Sequence, residues 1–240
     1  MNILVTGVSR GVGLKICEVL LNQGHSIYAV SRGYTEEFKT LETSFSKKIF
    51  FKSIDLSKTN DIQQLVFKDF VNNKIRLDGY VNNAAIAYDD IITNLSLNKL
   101  KQMYETNVFS PMIITKYVIR NMLFNKIKGS IVHISSISAH TGYKGLAMYA
   151  SSKGAIEAFS KNTAREWGEL GIRSNVVVPG FMDTAMSSGL SNIQKERIYN
   201  RTSLKKETSI ESVAETVAFL LSEKAISITG QNINVDSGTI

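Results

Sequence analysis

A chain of 240 residues, 43% hydrophobic and 20% charged, describes one globular domain over 1–240 with a sizeable core. The single cysteine, Cys17, excludes an internal disulfide, and no apolar run approaches the roughly 20 residues that cross a bilayer. The net charge of +7 rests on scattered lysines with no basic run interleaved with aromatics, which argues against nucleic acid and for an anionic cofactor or an acidic carrier. With no basic-flanked leader before "MNILVTG", the chain reads as cytoplasmic, with no membrane partner.

In chain order, short apolar runs predict strands at 2–6, 26–30, 49–55, 77–83, 130–135, 173–178 and 232–235. Between them, 3.6-residue patterns predict helices at 13–23, 60–73, 97–125 (bent near Pro111), 148–170 and 210–222. Several strands are continuous and β-branched, as in strands buried on both faces. Alternation of this kind predicts an α/β, doubly wound, Rossmann-type parallel sheet of seven strands with helices on both faces. Segment 180–209, rich in Ser, Asn and charge, breaks the rhythm and reads as a ligand loop, its excursion at about 183–207.

The first strand runs into "TGVSRGVG" and then a helix. Glycines at 7, 11 and 13 let the backbone approach a pyrophosphate, and the helix N-terminus offers it N–H groups. The spacing differs from the G-x-G-x-x-G fingerprint, and a plain strand-to-helix turn is the alternative. The second strand ends in Ser31 and Arg32 with no acid, and Arg10 adds a second cation. Two guanidinium groups and no carboxylate at that corner predict NADP(H) rather than NAD(H).

"AMYASSKGA" places Tyr149 and Lys153 on one face of a helix, one turn apart. A fixed ammonium beside a phenol would lower its pKa from about 10, so Tyr149 could exchange a proton near neutral pH. For an isolated Y-x-x-x-K, two solvated surface residues are the bland alternative. His133, in mid-strand, reads as structural; His140 could border a substrate mouth. No His, Cys and Asp spacing suggests a metal.

Taken together, "TGVSRGVG" (6–13), "NNAA" (82–85), "TN" (106–107), "ISS" (134–136), "YASSK" (149–153), "PGFMDT" (179–184) and "ITGQNINVDSG" (228–238) resemble the short-chain dehydrogenase/reductase family in order and spacing over nearly the whole chain. Among its subgroups the chain is most similar to the 3-oxoacyl-[acyl-carrier-protein] reductases. The resemblance implies that Tyr149 gives and takes the proton. It implies that Lys153 lowers the phenol pKa and holds the nicotinamide ribose, that Ser136 bonds the substrate oxygen, and that Asn107 holds a water leading from Lys153. Gly7, Ser9, Arg10, Gly11, Val12, Gly13, Ser31 and Arg32 would cradle the phosphates, Asp55 and Leu56 flank the adenine, and Asn82 and Ala84 line the adenosine ribose. Pro179, Gly180, Met182 and Thr184 would surround the nicotinamide.

Three departures stand out. Ala85 replaces the usual glycine, "DSG" at 236–238 replaces "DGG", and Ser135 sits beside Ser136. The thirteen-residue gap to Tyr149 and strand alternation favour Ser136 as the family's serine. The implied activity is reduction of a 3-oxoacyl thioester, with acyl carrier protein as a candidate partner. The same mechanism on a sugar, a sugar nucleotide or another secondary alcohol stays open, as does a regulator that senses NADP without turnover. The resemblance also implies a homotetramer, or failing that a dimer, built on helices 97–125 and 148–170. Segment 183–207, polar, cationic and containing Gly189, is expected to be mobile without ligand and to close over the nicotinamide.

Overall fold

The computed structural model describes residues 1–72, 74–183 and 191–239. The apolar runs form strands β1 (Asn2–Thr6), β2 (Ser26–Ser31), β3 (Ile49–Ser53), β4 (Gly79–Asn82), β5 (Ser130–Ile134), β6 (Arg173–Pro179) and β7 (Asn232–Val235). They pair in the order β3-β2-β1-β4-β5-β6-β7, every pair parallel, with Ile3 opposite Ile27 on one side and Gly79 on the other.

Successive side chains of a strand face opposite layers. Ile3, Val5, Ile27 and Val81 pack with helices α1 (Gly11–Asn22), through Ile16 and Leu20, and α7 (Ile210–Leu221), through Val213 and Val217. Leu4, Tyr28, Val30, Tyr80 and Ile131 face the other way, onto Ile114, Val118 and Met122 of α4 (Ser110–Phe124). Helices therefore cover both faces, as the doubly apolar strands require. No described helix is long and apolar enough to cross a membrane.

Four segments differ from the sequence reading. Helix α2 (Glu36–Ser44) was not anticipated, although Thr35 caps it by accepting from the Phe38 N–H and Glu36 and Glu37 occupy its first turn. In place of one helix at 60–73, the described residues form a 3₁₀ turn at Thr59–Asp61 and a π-helical turn at Gln63–Lys68, residue 73 lying outside them. The long helix 97–125 is three pieces: α3 (Leu97–Tyr104), a π-helical stretch Glu105–Phe109, and α4. Pro111 has no N–H to give the preceding turn, so the hydrogen-bond ladder is reset just before it. Inside 180–209 lies α6 (Asn192–Tyr199), with a capping box between Ser191 and Gln194. Its two aliphatic residues, Ile193 and Ile198, are too few to set an apolar period that would betray it. The remaining helix, α5 (Ala147–Trp167), packs on β6.

Arg173, at the start of β6, donates to Leu220 O (2.8 Å) and Ser222 O (3.1 Å), closing the C-terminal end of α7 against the sheet. Replacing it by Met should cost about 2 kcal/mol, from the loss of charge-assisted bonds to the carbonyls at the end of α7. Scanning calorimetry should then show a midpoint about 4–8 °C lower.

Candidate active site

The order in which strands are added across the sheet reverses between β1 and β4, and ligands of such sheets sit beyond the strand ends at that crevice. There the β1–α1 turn is held by side chains of the next strand end. Asn83 Nδ2 donates to Thr6 O (3.1 Å) and Gly7 O (2.8 Å), while the Thr6 hydroxyl accepts from the Asn83 and Ala84 N–H groups, each at 3.2 Å. Gly7 has φ +73°, and a Cβ on it would stand 2.7 Å from Ala84 Cα. A Cβ on Gly13 would be driven into the Gly7 carbonyl oxygen. Only glycine fits at both places. The first turn of α1 is uncapped by its N-cap residue, Arg10, so its N–H groups remain for a ligand.

This turn opens a cavity of about 1370 Å³ lined by Gly7, Ser9, Arg10, Gly11, Val12 and Gly13. Its far corner is built by Ser31, Arg32, Asp55 and Leu56. Ser31 Oγ donates to Ser9 Oγ (3.3 Å), tying the end of β2 to the turn. Arg10 and Arg32 are exposed at the cavity edge, and neither forms an ion pair with a described residue. Burial works against the Asp55 carboxylate, but the Ser57 N–H and hydroxyl and the Arg32 charge outweigh it and hold its pKa below the ordinary value.

Ala84 lines the cavity; Asn82 does not. Asn82 is 5% exposed and its side-chain nitrogen lies 3.2 Å from His133 Nδ1. The reason is strand alternation: in the pair 82–83, it is Asn83 that turns toward the glycine turn. His133 itself is fully buried, and that burial, with the Lys153 charge, pushes its pKa down to about 3, so it stays neutral.

Ser136 and the Tyr149–Lys153 pair meet on the opposite wall. Ser136 leaves the end of β5 and caps the 3₁₀ turn Ile137–Ala139 by accepting from Ser138 N–H (3.2 Å). Ser135 turns its hydroxyl away, to the Glu157 carboxylate. Lys153 is 5% exposed and Nζ donates to Ile134 O (2.8 Å). Burial lowers its pKa to about 8, with the Glu157 carboxylate pulling the other way. Lys153 Nζ lies over the Tyr149 ring, 5.6 Å from its centre. The phenol pKa is not lowered here, contrary to the sequence expectation: burial, and then the Asp89 carboxylate, push it up. The ammonium faces the ring and the Ile134 carbonyl, where it does little for a phenolate.

Asn107 sits behind this wall, 3% exposed. Its Oδ1 accepts from Ile86 N–H (2.9 Å) and its Nδ2 donates to Ile86 O (2.9 Å) and Ser152 Oγ (3.1 Å). Both amide hydrogens therefore brace protein groups, and the side chain clamps the cavity wall to α5. The outer wall carries Pro179, Gly180 and Met182; Thr184 and Gly189 lie outside the described residues. His140 pairs with Glu157 (3.0 Å). Asn83, Asp89 and Lys144, to which the sequence reading gives no individual role, also line the cavity. Asn83 lay inside the quoted "NNAA"; Asp89 and Lys144 carry no local signal.

Comparison with known proteins agrees with this geometry. The family model described as Enoyl-(Acyl carrier protein) reductase matches residues 7–239. The 3-oxoacyl-[acyl-carrier-protein] reductase of Buchnera aphidicola subsp. Schizaphis graminum is 32% identical over 235 residues, covering 98% of this chain and 95% of that protein. The enzyme of the same name from Escherichia coli (strain K12) is 32% identical over 237 residues, with the same coverage. Among solved structures, 4-hydroxyisoleucine dehydrogenase complexed with NADH superposes with a TM-score of 0.92 at 25% identity, covering 99% of this chain and 98% of that one. ElxO with NADP bound superposes with a TM-score of 0.89 at 28% identity, with the same coverage. Through the full-length match, the parallel sheet and the crevice at its reversal point, the chain belongs to the short-chain dehydrogenase/reductase family and is an oxidoreductase.

Proposed function

We propose that this reductase uses NADPH to convert a ketone, foremost a 3-oxoacyl thioester, into a secondary alcohol, with Tyr149 as the proton donor. The observation that carries the reading is the convergence of Ser136, Tyr149 and Lys153 on the cavity that the glycine turn opens. The relatives named above act on 3-oxoacyl carrier-protein substrates by name.

The residues present fit a dinucleotide. The volume of about 1370 Å³ exceeds the roughly 300–1,000 Å³ of a small-ligand pocket, which leaves room for cofactor and substrate together. The uncapped α1 N-terminus suits a pyrophosphate, and Arg10 and Arg32 suit a ribose phosphate. When bound, the cofactor supplies a hydride to the carbonyl carbon. The hydroxyls of Ser136 and Tyr149 hydrogen-bond the oxygen on which charge develops. Tyr149, held protonated by its surroundings, carries the proton that this oxygen takes. Lys153 holds its positive charge over the Tyr149 ring and braces the strand end that presents Ser136.

An acidic carrier protein is the proposed macromolecular partner, drawn by the exposed cations Arg201, Lys205 and Lys206. We also propose a homotetramer, with a dimer as the lesser assembly. Phe109 (46%) and Phe124 (79%) stand exposed at the two ends of the α4 region, where a partner's helices would cover them. Light scattering at micromolar concentration should return about four times 26.6 kDa, and a monomer would refute the assembly.

Two substitutions test the reaction. Arg32→Asp should weaken NADPH binding about 10- to 100-fold and improve NADH binding, since it removes charge-assisted bonds and adds an acceptor for a ribose hydroxyl. A wild-type preference for NADH in titration would overturn the cofactor assignment. Tyr149→Phe should bind NADPH nearly as well as wild type yet lose about 10²- to 10⁴-fold in kcat on acetoacetyl thioesters. Retention of most turnover would refute the mechanism.

A further inference from the structure

Glu157 lies on α5 one turn beyond Lys153 and does not line the cavity, yet its side chain is only 11% exposed. Both carboxylate oxygens are engaged. They accept from the Ser135 hydroxyl, from His140 Nε2 (3.0 Å) and from Asn232 Nδ2 (2.8 Å). Ser135 immediately precedes Ser136, and His140 immediately follows the 3₁₀ turn that Ser136 caps. One carboxylate therefore holds both ends of the segment presenting Ser136 and fixes it to the helix that bears Tyr149 and Lys153. Asn232 adds β7 to the same point. Lys153 grips the segment one residue upstream, through Ile134 O.

We infer that Glu157 is a positioning residue for the proposed carbonyl reduction: it sets Ser136 against Tyr149, and its negative charge keeps the buried Lys153 protonated. The inference rests on the reading of Ser136, Tyr149 and Lys153 given above. A burial as complete as that of Lys153 penalises its ammonium, and an anion one helical turn away offsets part of that penalty. The groups facing Lys153 are the Tyr149 ring of its own helix, neutral His133 of β5, the Ile134 carbonyl and Glu157. Those facing Glu157 are Lys153, His140, Ser135 and Asn232. Among these groups Glu157 supplies the negative charge.

The test separates the clamp from the charge. Glu157→Gln keeps acceptors for Ser135 and His140, and Asn232 can turn its amide oxygen to meet the new N–H group; the charge is lost. Glu157→Ala loses both. The Lys153 titration is read directly by NMR on protein labelled at lysine Cε, assigned with Lys153→Met, with no substrate or cofactor present. Wild type should titrate near pH 8, and Glu157→Gln about 1 pH unit lower. In kcat/KM for NADPH-dependent reduction of an acetoacetyl thioester, the alkaline limb should move down by the same amount in Glu157→Gln. Glu157→Ala should in addition lose about 10- to 100-fold in kcat, with the KM for NADPH changed far less. An unmoved Lys153 titration in Glu157→Gln overturns the electrostatic half, and an undiminished kcat in Glu157→Ala overturns the clamp. If wild type reduces no ketone, the reaction falls, and the NMR titration alone still decides whether Glu157 sets the charge on Lys153.

Discussion

The join between the end of β1 and the residues after β4 is what everything else at the crevice depends on. A strand-to-helix turn with three glycines has few side chains to hold it, and glycine gives up the most backbone freedom on ordering. Asn83 compensates by bonding the Thr6 and Gly7 carbonyls, while the Thr6 hydroxyl receives two N–H groups in return. These bonds fix the turn to the neighbouring strand at the place where the strand order reverses. They also hold Ala84 against Gly7, so the glycine turn and the cavity wall are set by one cluster.

On the opposite wall, burial and charge compete. Lys153 loses hydration and recovers part of it from the Ile134 carbonyl and the Glu157 carboxylate. Tyr149 gains nothing comparable; burial and Asp89 both favour its neutral form. The pair is thus not two groups that simply neutralise one another. The phenol is kept supplied with a proton, and the ammonium is kept on the strand end that positions the serine. Helical i, i+4 spacing brought the residues together, but the direction of the ammonium is decided by a carbonyl of β5.

The seven strands and the order of motifs were legible because buried parallel strands leave apolar runs and glycine turns leave fixed spacings. Helix α6 was not, since its two aliphatic residues set no apolar period and only the Ser191–Gln194 capping box marks it. Helix α2 did carry a cap and two acids, but its apolar positions, Phe38, Leu41 and Phe45, are few. At the site, Ser136 could be told from Ser135 by strand alternation, and the same argument applied to Asn82 and Asn83 would have chosen Asn83. The roles of Asp89 and Glu157 arise from contacts between distant segments, which no local pattern records. Ser237 illustrates a departure with a structural cost. It replaces the family's commoner glycine at a φ of 58°, a region L side chains disfavour by about 1–2 kcal/mol, and its hydroxyl donates to Glu207 O (3.0 Å).

The strand order has a kinetic meaning as well. Residues 2–53 complete one flank, β3-β2-β1, and residues 79–235 complete the other, β4 to β7. Every pairing is parallel, so none can close through a hairpin, and each must wait for a crossover. During synthesis the first flank can therefore collapse on α1 before the second exists. The crevice is the weld between the two, with the glycine turn on the early flank and Ser136, Tyr149 and Lys153 on the late one. A ligand lying across that weld recognises only chains in which both flanks have docked. By mass action, binding at the crevice favours the docked fold over half-assembled chains.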